Sequence, residues 1–260
     1  MQNILCTIEA RMNSSRLPGK VLKKINNTTV LEILFERVKK CKKINNIVLA
    51  TTRNKIDDKI VKICKKNGIN YYRGSENNVL QRIIKTSEKF NGNIIVQLTA
   101  DNPIVDPEMI DYMVNFFLKN KNVDYLTNNG MGNFELRNVP YGQDVQIFYS
   151  RHLKKNLLMS KQKKELLEHP SLFFYREGKA IYNLMNINLP KKFFIDKFYR
   201  LTIDHKKDFE LIKSIYQYFS KKKKYEFKNK DILFFLKQNP KIAKINAHHK
   251  QKTVNLLHDE

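Results

Sequence analysis

The chain has 260 residues, 42% of them hydrophobic, with 8 Gly, 7 Pro and 3 Cys. That composition excludes collagenous, disordered and disulfide-stapled classes and leaves a globular protein with room for a sizeable core. Lys and Arg number 49 against 25 Asp and Glu, a net charge of +24; the excess is mostly Lys, spread along the chain beside many Asn and Ile, so it favours attraction of small anions over a nucleic-acid or membrane surface.

Ile4 to Ile8 reads as a first strand, too short and too soon followed by Glu9 and Arg11 to be a signal or membrane helix. Val30 to Cys41 places Leu31, Leu34, Phe35 and Val38 on one helical face. A strand at Ile47 to Ala50, a helix at Asp57 to Lys66 and a strand at Ile69 to Tyr72 follow. Ser75 is positioned to cap a helix beginning near Asn77, Ile94 to Leu98 reads as a strand, and Pro107 occupies the first turn of a helix through Met113 and Val114. Four successive β-α units predict a mostly parallel, Rossmann-like α/β sheet flanked by helices, with ligands outside the carboxyl ends of the strands.

Beyond Asn128 the pattern is less regular: a strand at Val145 to Tyr149, a helix capped by Ser150, an extended stretch from Ala180 to Ile187, a short strand at Leu201 to Ile203, and helices at Asp208 to Phe219 and Ile232 to Leu236. One domain with a less regular insertion and a helical C-terminal end is expected. Lys221 to Lys224, the only dense basic run, reads as a solvated helix end. Cys6, Cys41 and Cys64 match no zinc or redox spacing, which fits a reducing cytoplasm.

The segment richest in chemistry is Ala10-Arg11-Met12-Asn13-Ser14-Ser15-Arg16-Leu17-Pro18-Gly19-Lys20, directly after the first strand. Three cations, two serine hydroxyls and a glycine hinge in one loop suit a triphosphate, because Arg binds two oxygens at once and Lys supplies a compact charge. An exposed basic turn is the alternative; the position after strand one disfavours it. The Walker pattern is absent. Asp101 leaves the strand ending at Leu98, where a carboxylate can hold Mg²⁺ against phosphate oxygens, although Asp-Asn-Pro by itself is commonly a turn. Asp204 follows Leu201-Thr202-Ile203, and a helix N-cap is its rival role.

The loop resembles the signature segment of the sugar-acid cytidylyltransferases, relatives of the CMP-Kdo and CMP-sialic acid synthetases, and most closely the spore-coat polysaccharide biosynthesis branch. The likeness continues through Val48 to Thr52, Asp57-Asp58, Tyr72 to Glu76, Leu98 to Pro103, Asp144-Val145, Glu168-His169 and Leu201 to Asp204, and spans essentially the whole chain. It implies the nucleotide-diphospho-sugar transferase type of fold as a single nucleotidyltransferase domain over 1–260. Residues 1–127 form the nucleotide-binding half, and 128–260 the acceptor-binding and dimerisation half. It implies Mg²⁺ on Asp101 and Asp204, catalysis by Arg11, Lys20 and Asp101, and CTP held by Ala10, Arg11, Met12, Ser15, Arg16, Lys20, Thr51, Thr52, Thr99 and Ala100. The base is placed between the first loop and Ala50-Thr51-Thr52. Arg73, Ser75, Gln143, Asp144 and His169 are the expected residues for a small anionic sugar or sugar-acid acceptor, Arg73 for its carboxylate. A homodimer without nucleic-acid or membrane partners is also implied. Glu9 departs from the family's usual Gln or Pro, Asn13 from Gly, and Asn77-Asn78 from an acidic pair. A glycosyltransferase, or a nucleotidyltransferase using another triphosphate on the same fold, stays open as an alternative. A basic nucleic-acid-binding module is the rival from another class, and it leaves Asp101 and Asp204 unexplained.

Overall fold

A computed structural model describes residues 2–221 and 225–249. In chain order the strands are β1 (Ile4–Glu9), the short pair β2 (Lys24–Ile25) and β3 (Thr28–Thr29), β4 (Asn46–Thr52), β5 (Asn70–Gly74), β6 (Ile94–Thr99), β7 (Tyr125–Thr127), β8 (Gln146–Tyr149) and β9 (Leu184–Asn186). The helices are α1 (Val30–Val38), α2 (Asp58–Lys66), α3 (Val79–Lys89), α4 (Pro107–Lys119), α5 (Arg151–Met159), α6 (Lys164–Glu168), α7 (Leu172–Tyr175), α8 (Lys206–Ser220), α9 (Asn229–Gln238) and α10 (Pro240–Ala243).

All strands but β2 and β3 form one seven-stranded sheet in the order β5-β4-β1-β6-β8-β7-β9. The first four in that order run parallel, β8 is antiparallel to both its neighbours, and β9 is parallel to β7. Strands covered on both faces read as nearly continuous apolar runs, which is why β1 and β6 were visible in the sequence. Their side chains alternate between two cores. Ile4, Cys6 and Ile8 of β1, with Ile94, Val96 and Leu98 of β6, pack among apolar residues of α1, α2 and α4. Leu5 and Ile95 pack on the other face among residues of α3, α5, α6 and α7. A third core joins α8, α9 and α10 to Ile25, Val30, Ile33 and Ile104, seating the C-terminal helices beside the first β-α unit and the connection from β6 to α4.

Local chemistry sets the helix starts. Thr29 and Glu32 form a capping box on α1. Asp106 caps α4 ahead of Pro107 and also accepts from the Asn229 amide at 2.7 Å, tying α9 to it. Helix α3 begins later than Ser75 suggested: Asn78 is the cap, and Ser75 Oγ accepts from the Asn78 amide at 3.0 Å. Ser150 precedes α5 in helical conformation with no side-chain cap. Of the expected extended stretch 180–187, only Leu184–Asn186 pairs as a strand.

Leu201 to Ile203 is not a strand but a loop with a bend at Thr202, its Leu201 amide donating to Tyr141 O at 2.7 Å and its Ile203 amide to Asp101 O at 2.9 Å. It runs against Gly142, whose φ is +102° and where a Cβ would stand 2.2 Å from the Leu201 carbonyl carbon. Only glycine permits that approach. Three members of the basic run, Lys222 to Lys224, lie outside the described residues. Among the described residues no helix is long and apolar enough to cross a membrane.

Candidate active site

Strand β1 is flanked by β4, reached through α1, and by β6, reached only after β5 and α3, so the strand order reverses between β1 and β6. The carboxyl ends of these strands open into a cleft of about 950 Å³ lined by the 10–20 loop, Thr99 to Asp101, Val79 and Arg82 of α3, and Glu168 with His169. A ligand site at such a switch point is what an open parallel sheet provides.

The loop is held in shape by its own backbone. Met12 O accepts from the Ser14 and Gly19 amides at 2.9 and 3.0 Å, and Gly19 takes φ +67° ahead of the short turn at Lys20–Leu22. From outside, the Met12 amide donates to Asp57 Oδ1 at 2.7 Å, and Asp57 Oδ2 accepts from the Thr52 hydroxyl.

The loop's cations are all paired. Lys20 is nearly buried; its Nζ donates to Asp101 Oδ2 at 2.7 Å, Asp204 Oδ1 at 2.9 Å and the Ile203 carbonyl at 2.7 Å. Burial alone would lower its pKa, but the two carboxylates outweigh burial and raise it. Asp204 is almost inaccessible, with Oδ1 shared by Lys20 and Arg16 (2.6 Å) and Oδ2 on Arg200 at 2.7 Å. Burial would push its carboxyl up, yet Lys20, Arg16 and Arg200 hold it below the usual range. Arg200 continues to Asp208 Oδ1 at 3.0 Å, and Asp208 Oδ2 accepts from the Asp204 and His205 amides. At the cleft mouth Arg11 donates to Glu168 at 3.1 Å.

A metal would need hard oxygen donors around one point. Asp101 Oδ2, Asp204 Oδ1 and the Ile203 carbonyl already surround one compact cation, the Lys20 ammonium, at 2.7 to 2.9 Å. Among the described residues no group of three or more His, Cys, Asp or Glu could hold a metal. Two carboxylates completed by phosphate oxygens are the donor set that Mg²⁺ takes.

Of the residues expected at the nucleotide, Ala10, Arg11, Ser15, Arg16, Lys20, Thr99 and Ala100 line the cleft, as does Asp101, expected to hold the metal. Met12 shapes the loop through its amide. Ala50, Thr51 and Thr52, expected beside the base, are fully buried and do not line the cleft, whose wall on that side is made by Glu9, Val79 and Arg82. Among the expected acceptor residues only His169 lines the cleft. Arg73 is held by the Thr52 and Asn54 carbonyls at 2.9 Å each and by Asp58 at 2.6 Å. Gln143 is fully buried, donating to Ile104 O and accepting from the Asp106 amide. Asp144 pairs with Arg137. These three brace loops, because each polar end faces backbone or a counter-ion.

Residue spacing did not single out one polar corner. Glu9 Oε2 accepts from Gln97 Nε2 at 3.0 Å, under Arg82. Glu9 Oε1, Gln97 Oε1, Thr7 Oγ1 and Arg82 Nε are enclosed without a hydrogen-bond partner. Burial, opposed by Gln97 and Arg82, raises the Glu9 carboxyl to about 7. The signal was available in the alternation: Thr7, Glu9, Gln97 and Thr99 are polar residues on one face of two otherwise apolar strands. Arg200 carries no such signal.

Known proteins resemble this chain over its length. The family model described as cytidylyltransferase matches residues 5–238. An uncharacterised protein of Methanocaldococcus jannaschii is 36% identical, over 96% of this chain and 97% of that one. The spore coat polysaccharide biosynthesis protein SpsF of Bacillus subtilis is 35% identical, over 84% and 88%. The solved structure of a cytidylyltransferase from Leptospira borgpetersenii superposes with a TM-score of 0.85 at 34% identity, covering 97% of this chain and all of that one.

Proposed function

The chain belongs to the cytidylyltransferase family and is a nucleotidyltransferase; on that premise we propose that it transfers CMP from CTP to a small anionic sugar or sugar-acid acceptor, releasing pyrophosphate, for surface glycan synthesis in the cytoplasm. The observation that carries this reading is the closure of Lys20 and Arg16 on Asp101 and Asp204 beside a cleft at the sheet's switch point. It gives fixed cations and paired carboxylates in one place, which is what a triphosphate and its metal require.

An acceptor hydroxyl attacks the α-phosphorus in line; the new P–O bond forms as the bond to pyrophosphate breaks, and the hydroxyl's proton is released to water. Such a step asks the protein chiefly for positioning and charge. Arg11, Arg16 and Lys20 exchange their carboxylate partners for phosphate oxygens, so binding replaces existing ion pairs rather than desolvating free charges. Asp101 and Asp204 are the residues that would hold Mg²⁺, which supplies further neutralisation of the phosphates. The acceptor lies along the side lined by Glu168 and His169, since Arg73, Gln143 and Asp144 are engaged elsewhere. The homodimer that the family resemblance implies is to be measured by light scattering.

The experiment is thermal unfolding with CTP, UTP, ATP and GTP, each with and without Mg²⁺, because a ligand bound to the native state raises its stability. Selective stabilisation by CTP with Mg²⁺ is expected, followed by acceptor-dependent pyrophosphate release. A shift with a UDP-sugar or an oligonucleotide and none with CTP would sink the assignment.

A further inference from the structure

The corner formed by Glu9, Gln97 and Arg82 leaves polar atoms that the fold does not use, although Gln97 Nε2 donates to Glu9 Oε2 and Arg82 Nη1 to the Ser75 carbonyl. Buried polar groups are nearly always paired, and leaving them unpaired destabilises the fold. Here two acceptors, Glu9 Oε1 and Gln97 Oε1, and one donor, Arg82 Nε–H, are unpaired together. Glu9 and Arg82 line the same cleft as the triphosphate loop, with Val79 offering an apolar side chain beside them. Glu9 is not free to turn away, since Gln97 Nε2 holds its Oε2 at 3.0 Å. A flat heterocycle that brings a donor to Glu9 and an acceptor to Arg82 would satisfy both.

We propose that Glu9 selects the nucleobase: its Oε1 accepts from the exocyclic amino group of cytosine while Arg82 donates to the ring acceptor beside that group. Uracil reverses both positions, placing a carbonyl against the carboxylate and an N–H against the guanidinium. The pair therefore admits an aminopyrimidine and turns away its keto analogue. A site that hydrogen-bonds its ligand rejects a mismatched one far more strongly than an apolar pocket does, because the protein's own groups are then left unpaired. Glutamate suits this better than glutamine, whose amide can rotate to offer either a donor or an acceptor. The groups facing Glu9 are Arg82 from α3, Gln97 from β6 and, further along the cleft, Asp101. Above pH 7 the carboxylate is an acceptor only, which fixes the sense of the selection.

This inference rests on the CTP reading, and the test separates the two. Dissociation constants at about pH 8 are measured by calorimetry for CTP, UTP and the 2-pyrimidinone ribonucleoside triphosphate that lacks the 4-amino group. They are taken on the wild type, Glu9→Gln and Glu9→Met. The wild type is expected to bind CTP at least about tenfold more tightly than either analogue, one charge-assisted hydrogen bond's worth of discrimination. In Glu9→Gln the CTP-to-UTP ratio falls about tenfold, and in Glu9→Met CTP and the des-amino analogue bind alike. If the wild type prefers CTP but binds the des-amino analogue equally well, or both variants keep the wild-type ratio, Glu9 does not read the base while the CTP assignment stands. If the wild type binds no triphosphate, or prefers another, both fall. The des-amino comparison needs no variant, so a variant that fails to fold leaves the question decidable.

Discussion

Two ends of one cleft treat charge in opposite ways. At the Lys20 end every formal charge is matched: three cations converge on Asp204, one of them also reaches Asp101, and no carboxylate oxygen of Asp204 is left over. At the Glu9 end a carboxyl oxygen, an amide oxygen and a guanidinium nitrogen are enclosed without partners. The first arrangement can hold the loop in place before any ligand arrives; the second lowers stability until one does. Preorganised charge and unfilled hydrogen-bonding capacity are thus separated within a single cavity.

The sharpest test of the matched end is Asp204→Asn. Removing the shared anion takes from Arg16 its carboxylate partner and leaves Lys20 with Asp101 and Arg200 with Asp208, and breaking a buried pair costs roughly 3–5 kcal/mol. Chemical denaturation at neutral pH should register a loss of about 4 kcal/mol. Because the folded-state pKa of Asp204 is depressed, its contribution is complete above the unfolded value near 4 and is lost as pH falls through the folded one. The variant's acid limb should accordingly be shallower than the wild type's.

At the other end the sign is reversed. Glu9 is raised from its ordinary range to about 7, so the folded protein holds a proton that the unfolded chain releases, and stability declines as pH rises from about 4.5 to 7. Glu9→Gln removes that decline. It should be more stable than the wild type at pH 8, by up to about 3 kcal/mol at 1.36 kcal/mol per unit, read from denaturation midpoints across pH. An unchanged pH profile would mean that the corner is hydrated and not strained.

Lys20→Met carries the catalytic half of the contrast. Loss of a charge-assisted bond worth about 1.5–3 kcal/mol should slow CMP transfer by roughly 10- to 100-fold, measured by pyrophosphate release. Arg73→Ala, outside both ends, is the smallest change expected in transfer. Its partly exposed pairing with Asp58 should contribute no more than about 1 kcal/mol, and acceptor KM should stay within about twofold.

How far the sequence disclosed this molecule follows from what kind of interaction each part uses. β1 and β6 were plain because strands buried on both faces leave an apolar run. The 10–20 loop was plain because its cations, serines and glycine are contiguous. Leu201 to Ile203 was mistaken for a strand because an apolar triplet looks the same whether it pairs in a sheet or lies against Gly142 and Asp101. Arg73 and Gln143 have the composition of binding residues, and only the fold shows that backbone carbonyls occupy them. Arg200 and Arg82 enter the cleft region through tertiary packing alone, whereas Gln97 had left a trace in the alternation of β6. Glu9 stood out as a departure from the family pattern, but the sense of that departure depended on finding Gln97 and Arg82 around it.

The position of β8 bears on how the chain reaches this state during synthesis. β6 pairs with β1 on one side, and on the other with a strand that begins only at residue 146, which also separates it from β7. A nascent chain that has just emerged through residue 127 therefore presents an apolar β6 with one edge unpaired, the kind of surface that recruits foreign strands. Production of residues 1–127 alone should yield an aggregation-prone fragment, whereas extension past Tyr149 covers the edge. For the ribosome, the edge of β6 closes only once β8 has been made.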